Sequence, residues 1–119
     1  SMVGRLLPVV LLVVSNIFMT YAWYGHLKDF KHRPLILAIA ASWGVAFFEY
    51  CLQVPANRIG FGTYSLCQLK VVQEIIAMSV FAAFAVLYMG EKLSANFLWA
   101  GLCLVAAAFF IFREIQPAA

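Results

Sequence analysis

Charge is scarce in this sequence: lysine, arginine, aspartate and glutamate make up 11% of its 119 residues, where a soluble domain carries about 25%. Five acidic and eight basic side chains leave a net charge of +3 without a basic run, which excludes a nucleic-acid-binding module. Apolar residues reach 66%, which excludes a disordered tail. A chain of one-domain length cannot hide that much apolar surface inside itself. Water is therefore excluded as its main solvent, and the lipid bilayer remains as its first partner. Cysteine is also sparse. Cys51, Cys67 and Cys103 are odd in number, match no disulfide or metal spacing and read as small apolar residues. His26 and His32 have no cysteine pair nearby and read as headgroup or solvent contacts, not zinc ligands. There is no G-x-x-x-x-G-K-[ST] loop, and Gly60-Phe61-Gly62 is too short for a dinucleotide fingerprint. No paired acid–base or nucleophile constellation is visible. Enzyme activity, a metal and a cofactor are accordingly not expected.

The few charges fall at intervals of membrane length. About 20 apolar residues cross a bilayer core as a helix, and the apolar stretches predict spans at about 6–24, 34–54, 70–89 and 93–112 of one transmembrane domain covering residues 1–119. Polar connections are expected at Gly25–Arg33, Pro55–Leu69 and Gly90–Lys92. The stretches are continuously apolar rather than alternating, so barrel strands are excluded and an all-α, four-helix membrane bundle is predicted. Arg5 followed by Leu6–Val14 has the charge and apolar core of a signal peptide. Its best cleavage match, Thr20-Tyr21-Ala22, is followed by aromatics, so the segment reads as a retained span, with Ser1 an expression remnant.

Four spans put both termini and the Pro55–Leu69 connection on one side, face A. Face A carries Arg5, Arg58, Lys70 and Arg113; face B carries Lys28, Lys31, Arg33 and Lys92. An even split gives the positive-inside rule nothing to act on. Either position-dependent effects set one orientation, or copies insert both ways. Tyr21, Trp23, Tyr24, Tyr88 and Trp99 lie towards face B and read as an interfacial belt.

A polar side chain at bilayer depth is costly, so each one needs a reason. Asn16 and Thr20 are i, i+4 neighbours near mid-span, read either as interhelical hydrogen-bonding groups or as substrate contacts. Glu49 is the sharpest signal, since the fifteen residues Pro34 to Phe48 before it carry no charge. Ser42, Ala46, Glu49 and Gln53 follow one helical stripe. Ser65 and Gln68 match a capping box, which predicts a helix starting at Leu66. Lys70, Gln73 and Glu74 then occupy its first turns, and Ile75–Met89 is again fifteen residues without charge. Fifteen residues span about 22 Å, short of the roughly 30 Å hydrocarbon core, so Glu49 and Glu74 sit a little inside face A. One polar cluster is expected there: Glu49, Gln53, Asn57, Arg58, Lys70, Gln73 and Glu74. It reads as a functional site or as an ion-pair network that anchors the connection. In the fourth helix the small residues Gly101 and Ala108 suit either a dimer seam or packing within the monomer.

The stretches Ser15–Lys28 (SNIFMTYAWYGHLK), Phe47–Gly60 (FFEYCLQVPANRIG) and Gln68–Glu74 (QLKVVQE) closely resemble the domain of unknown function 486 family, bacterial four-helix membrane proteins placed in the drug/metabolite transporter superfamily. Gly90–Ser94 and Gly101–Leu104 are similar, more loosely, to the last two helices of that superfamily. The resemblance implies a transporter-like fold in a bacterial inner membrane. By analogy with the small multidrug resistance proteins it also implies a homodimer, antiparallel pairing included, whose fourth helices meet. Those proteins use a glutamate in the first helix for proton and cation exchange. The matching place here is Asn16, whose amide cannot exchange a proton, so coupling falls to Glu49 or Glu74. The expected function is a small secondary transporter or facilitator, with Asn16, Thr20, Ser42, Glu49, Gln53 and Glu74 along its path. The alternative is a membrane interaction or scaffold protein whose polar residues only pack helices.

Overall fold

The computed structural model describes residues 2–113. Helix α1 spans Met2–Tyr24, the single turn α2 His26–Asp29, α3 Leu35–Gly60, α4 Leu66–Leu87 and α5 Ala95–Arg113, with no strand among the described residues. Four helices are long and apolar enough to cross a membrane, α1 and α2 counting as one. The all-α membrane class follows from the rule that lipid leaves no unpaired backbone. Gly25 keeps helical dihedrals, so the first helix carries on into the segment expected to be a polar connection.

Pro8 sits inside α1 and has no N–H for the Gly4 carbonyl four residues back. The Thr63 hydroxyl donates to that carbonyl at 3.3 Å, and the Tyr64 hydroxyl donates to the Arg5 carbonyl at 3.1 Å. The first turns of α1 are thereby tied to the α3–α4 loop. The Tyr64 ring also meets Phe112 near the end of α5, centroids 6.1 Å apart, so these parts gather at face A. At face B, Lys28 Nζ donates to the Tyr88 carbonyl at 2.7 Å.

The connection expected over Pro55–Leu69 is mostly helix. α3 runs through Pro55 to Gly60, and the loop shrinks to residues 61–65. An interior proline costs about 3 kcal/mol, and the reason it is tolerated lies in the turn beyond it. Ala56 is fully buried in a core with Leu12 and Ile76. Gly60 lies so close to its neighbours that a Cβ there would stand 2.8 Å from Leu69 Cδ2 and 3.3 Å from Pro8 Cβ. α4 starts as its capping box requires: Ser65 Oγ accepts from the Gln68 N–H at 3.2 Å, and Gln68 Oε1 accepts from the Ser65 N–H at 3.1 Å. It ends at Leu87, and Gly90 beyond it, whose φ of +73° belongs to glycine, turns the chain so that the Glu91 N–H returns to the Ala85 carbonyl at 2.8 Å.

α1 packs along most of α3, and α4 packs equally against α1 and α5. α3 and α4 have little direct contact outside face A, where Leu69 approaches Gly60. A cleft therefore opens between α3 and α4, with α1 as its back wall.

Candidate functional site

The cleft holds a cavity of about 520 Å³ lined from three helices. α1 contributes Met19, Thr20, Trp23 and Tyr24; α3 contributes Glu49, Tyr50 and Gln53; α4 contributes Lys70, Gln73, Glu74, Ala77, Met78 and Phe81. The α4 set repeats every three or four residues, which turns one stripe of that helix towards the cleft. Glu49 is 1% exposed, and among the described residues neither carboxylate oxygen has a hydrogen-bond partner. Two polar pairs beside it are matched. Asn16 is buried, and its amide exchanges two hydrogen bonds of 3.3 Å with the Gln73 amide, while its Nδ2 also donates to the Leu12 carbonyl at 2.8 Å. Lys70 pairs with Glu74 at 2.8 Å on an exposed helix face.

A second cavity of about 550 Å³ continues the cleft towards face A. Gln53, Lys70 and Gln73 line both, so they form the neck between them. Asn57 and Arg58 line the outer cavity with Phe61, Leu66 and Leu69. The residues expected as one polar cluster thus divide. Glu49 and Glu74 share the inner cavity, Asn57 and Arg58 the outer one. Glu49 and Glu74, expected at similar depth, differ in setting: among the described residues one is enclosed and unpartnered, the other exposed and ion-paired with Lys70.

Ser42 is only partly buried on α3 and does not line the inner cavity. Gly101 and Ala108 fall on the partly buried stripe of α5 with Phe97, Leu104 and Ile111. Gly101 joins Ile75, Met78 and Ser79 of α4 along a groove between the two helices. Those small residues therefore look towards α4 within the chain, while Trp99, Cys103, Ala106 and Phe110 are exposed on the other side. Cys51 and Cys67 are exposed as well.

The aromatic belt is partly something else. Trp23, Tyr24 and Trp99 are exposed, as a belt requires, and Tyr24 also packs edge-on against Phe81 at 5.4 Å in the cavity wall. Tyr21 and Tyr88 both donate their hydroxyls to Asp29 Oδ2. That bond to a carboxylate, with desolvation second, raises the Tyr88 hydroxyl above the ordinary phenol pKa. The α1 residues of the cavity were visible in the spacing of Asn16, Thr20 and Tyr24, and its α4 wall in Gln73, Ala77 and Phe81.

These features define a small helical integral membrane protein with a half-open cleft lined by polar and apolar side chains. Its family is shown by comparison of the whole span. The model described as "Putative member of DMT superfamily (DUF486)" matches residues 8–112, and the chain belongs to that family. No curated protein and no solved structure matches the chain.

Proposed function

We propose that the chain is a small secondary transporter or facilitator working as a homodimer in a bacterial inner membrane, with the α3–α4 cleft as its path. One observation carries the reading: a buried carboxyl group without a partner, Glu49, stands in the wall of a cavity at membrane depth. Ionisable groups there are expensive and are kept where they serve a path for ions or polar solutes. Glu49 supplies the charge, Thr20, Gln53 and Glu74 flank it, and Asn16 acts through Gln73. Cysteines placed at Asn16, Thr20 and Glu49, in a background without Cys51, Cys67 and Cys103, test it. A path for polar solutes makes them react with polar thiol reagents, and silence at every position means a dry bundle.

The mutual pair Asn16–Gln73, which joins α1 to α4, favours a second reading for those two residues, a scaffold whose polar groups only hold helices together. The seam of the proposed dimer belongs on the outer side of α5, where Cys103 and Ala106 are exposed. Oxidation then cross-links Cys103 of two copies, and a chain that stays monomeric under oxidant removes the homodimer. The even charge split makes orientation a separate question. Partial labelling of Cys67 by an impermeant reagent on intact cells, completed on opening them, supports insertion in both directions.

A further inference from the structure

The outer cavity of the cleft differs in charge from the inner one. Glu49 and Glu74 line the inner cavity with Lys70. The outer cavity, about 550 Å³, is lined by Arg58 and Lys70 and by no acidic residue. Arg58 stands in the last turn of α3 and Lys70 in the second turn of α4, so the two cations belong to opposite walls. Lys70 is shared with Glu74, whereas Arg58 has no acidic partner among the described residues. Gln53, Asn57 and Gln73 add amides, and Phe61, Leu66 and Leu69 complete the wall with apolar surface. The cavity lies where two membrane-spanning helices end at face A, which is the depth of lipid headgroups. Below Arg58 on α3, Val54 and Tyr50 follow at four-residue steps on one face, and both are exposed.

We propose that this outer cavity binds the phosphate headgroup of an anionic phospholipid, with an acyl chain along Val54 and Tyr50 of α3. Charge sets the class of head. Two cations without an acid suit a lone phosphodiester, to which the guanidinium presents a fork of donors and the ammonium a point charge. A zwitterionic head would bring its own ammonium against Arg58 and Lys70, with no carboxylate in the cavity to receive it. Basic pockets between transmembrane helices bind anionic headgroups on this principle. Glu74 competes for Lys70, but their pair is exposed and such pairs are weak. The apolar wall sets the source of the phosphate. A free anion gains nothing from Phe61, Leu66 and Leu69, whereas the glycerol and first methylenes of a lipid cover them. The bound lipid also supplies a link that the chain itself makes sparingly. α3 and α4 have little direct contact, and one phosphate shared by Arg58 and Lys70 ties the two walls of the cleft at its mouth. The site stands whether or not the cleft carries a solute.

Native mass spectrometry of the whole chain tests this. Protein in a neutral detergent is offered phosphatidylglycerol and phosphatidylcholine with matched acyl chains at equal concentration. The expected result is retention of phosphatidylglycerol in excess over phosphatidylcholine. Arg58→Gln and Lys70→Gln each lower that preference about fivefold. Arg113→Gln removes a face-A cation that does not line the cavity, and it leaves the preference unchanged. Circular dichroism checks that each variant is folded. Should Arg58→Gln fail to fold, Lys70→Gln gives the same reading, since its side chain is exposed. Equal retention of the two lipids by the wild type overturns the site. So does a loss with Arg113→Gln as large as that with Arg58→Gln, because the attraction is then spread over face A. Inorganic phosphate separates the two sources of the anion. A lipid that stays bound through millimolar phosphate supports the proposal. A lipid displaced by it makes the cavity a site for a soluble anion, and the lipid proposal falls.

Discussion

Replacing Glu49 with leucine makes the protein more stable. Both carboxylate oxygens are enclosed and meet no donor among the described residues. Whatever its protonation, such a group leaves polar atoms unmatched, and a buried unsatisfied group costs about 1–3 kcal/mol. Leucine removes those atoms at similar volume, so the gain is about 1–3 kcal/mol, or roughly 5- to 150-fold in the unfolding equilibrium. Glu49→Gln gains less, because its amide still needs partners. The assay is reversible unfolding in mixed micelles titrated with dodecyl sulfate, followed by circular dichroism. A protein that keeps a destabilising group at one position gives up function when that group is removed, so Glu49→Leu also loses whatever flux the wild type supports. If Glu49→Leu is less stable than wild type by about 1 kcal/mol or more, the carboxyl group is structural, and the argument from its isolation fails.

The Asn16–Gln73 pair should show coupling of about 0.6–2 kcal/mol in a double-mutant cycle with alanine at each position, read in the same unfolding assay; independent effects would mean the amides do not hold α1 to α4. Gly60→Ala should destabilise by about 1–3 kcal/mol, because the Pro8 ring cannot give way as Leu69 can; a neutral effect would show that the approach of α3 to α1 is looser than 3.3 Å implies. Lys70→Gln should change stability by less than about 1 kcal/mol, since its pair with Glu74 is exposed; a larger loss would mark the pair as a structural anchor for α4.

What was legible in the sequence was what lipid dictates. Long uncharged runs must be helices there, and Ser65 with Gln68 marked the start of α4 because a capping box is a local device. Pro55 misled, since its cost is local while its compensation, Ala56 against Leu12 and Ile76, comes from helices distant in sequence. Glu49 and Glu74 read as similar in depth, with Lys70 an i, i+4 neighbour of Glu74 alone, because spacing measures position along a helix and not which side is enclosed. Lys70, one turn away, gives Glu74 its partner, whereas the stripe that carries Glu49 turns it into the bundle. The bonds of Tyr21 and Tyr88 to Asp29 at face B were invisible for the same reason. Asp29 and Tyr88 lie far apart in sequence and meet only because α1 and α4 pack.

These misses share a cause that bears on how the molecule works. In water, apolar burial would hold the four helices together. In lipid, α5 gains nothing by covering its apolar surface, and none of its residues is buried. Cohesion has to come from close approach of small residues and from directional bonds. The first kind holds α1 to α3, through Ala56, Ala38 and Gly60. The second kind adds to the packing of Ile76 on Leu12 and Ala56 in holding that pair to α4, through the hydroxyls of the α3–α4 loop, the Asn16–Gln73 amides and the bonds to Asp29. Each such bond contributes only about 0.6–2 kcal/mol. Contacts of that size can be exchanged for contacts with a solute or with a second chain, whereas the packed seam between α1 and α3 cannot. Motion is therefore expected along the α1–α4 seam, and that seam runs beside the cavity that contains Glu49.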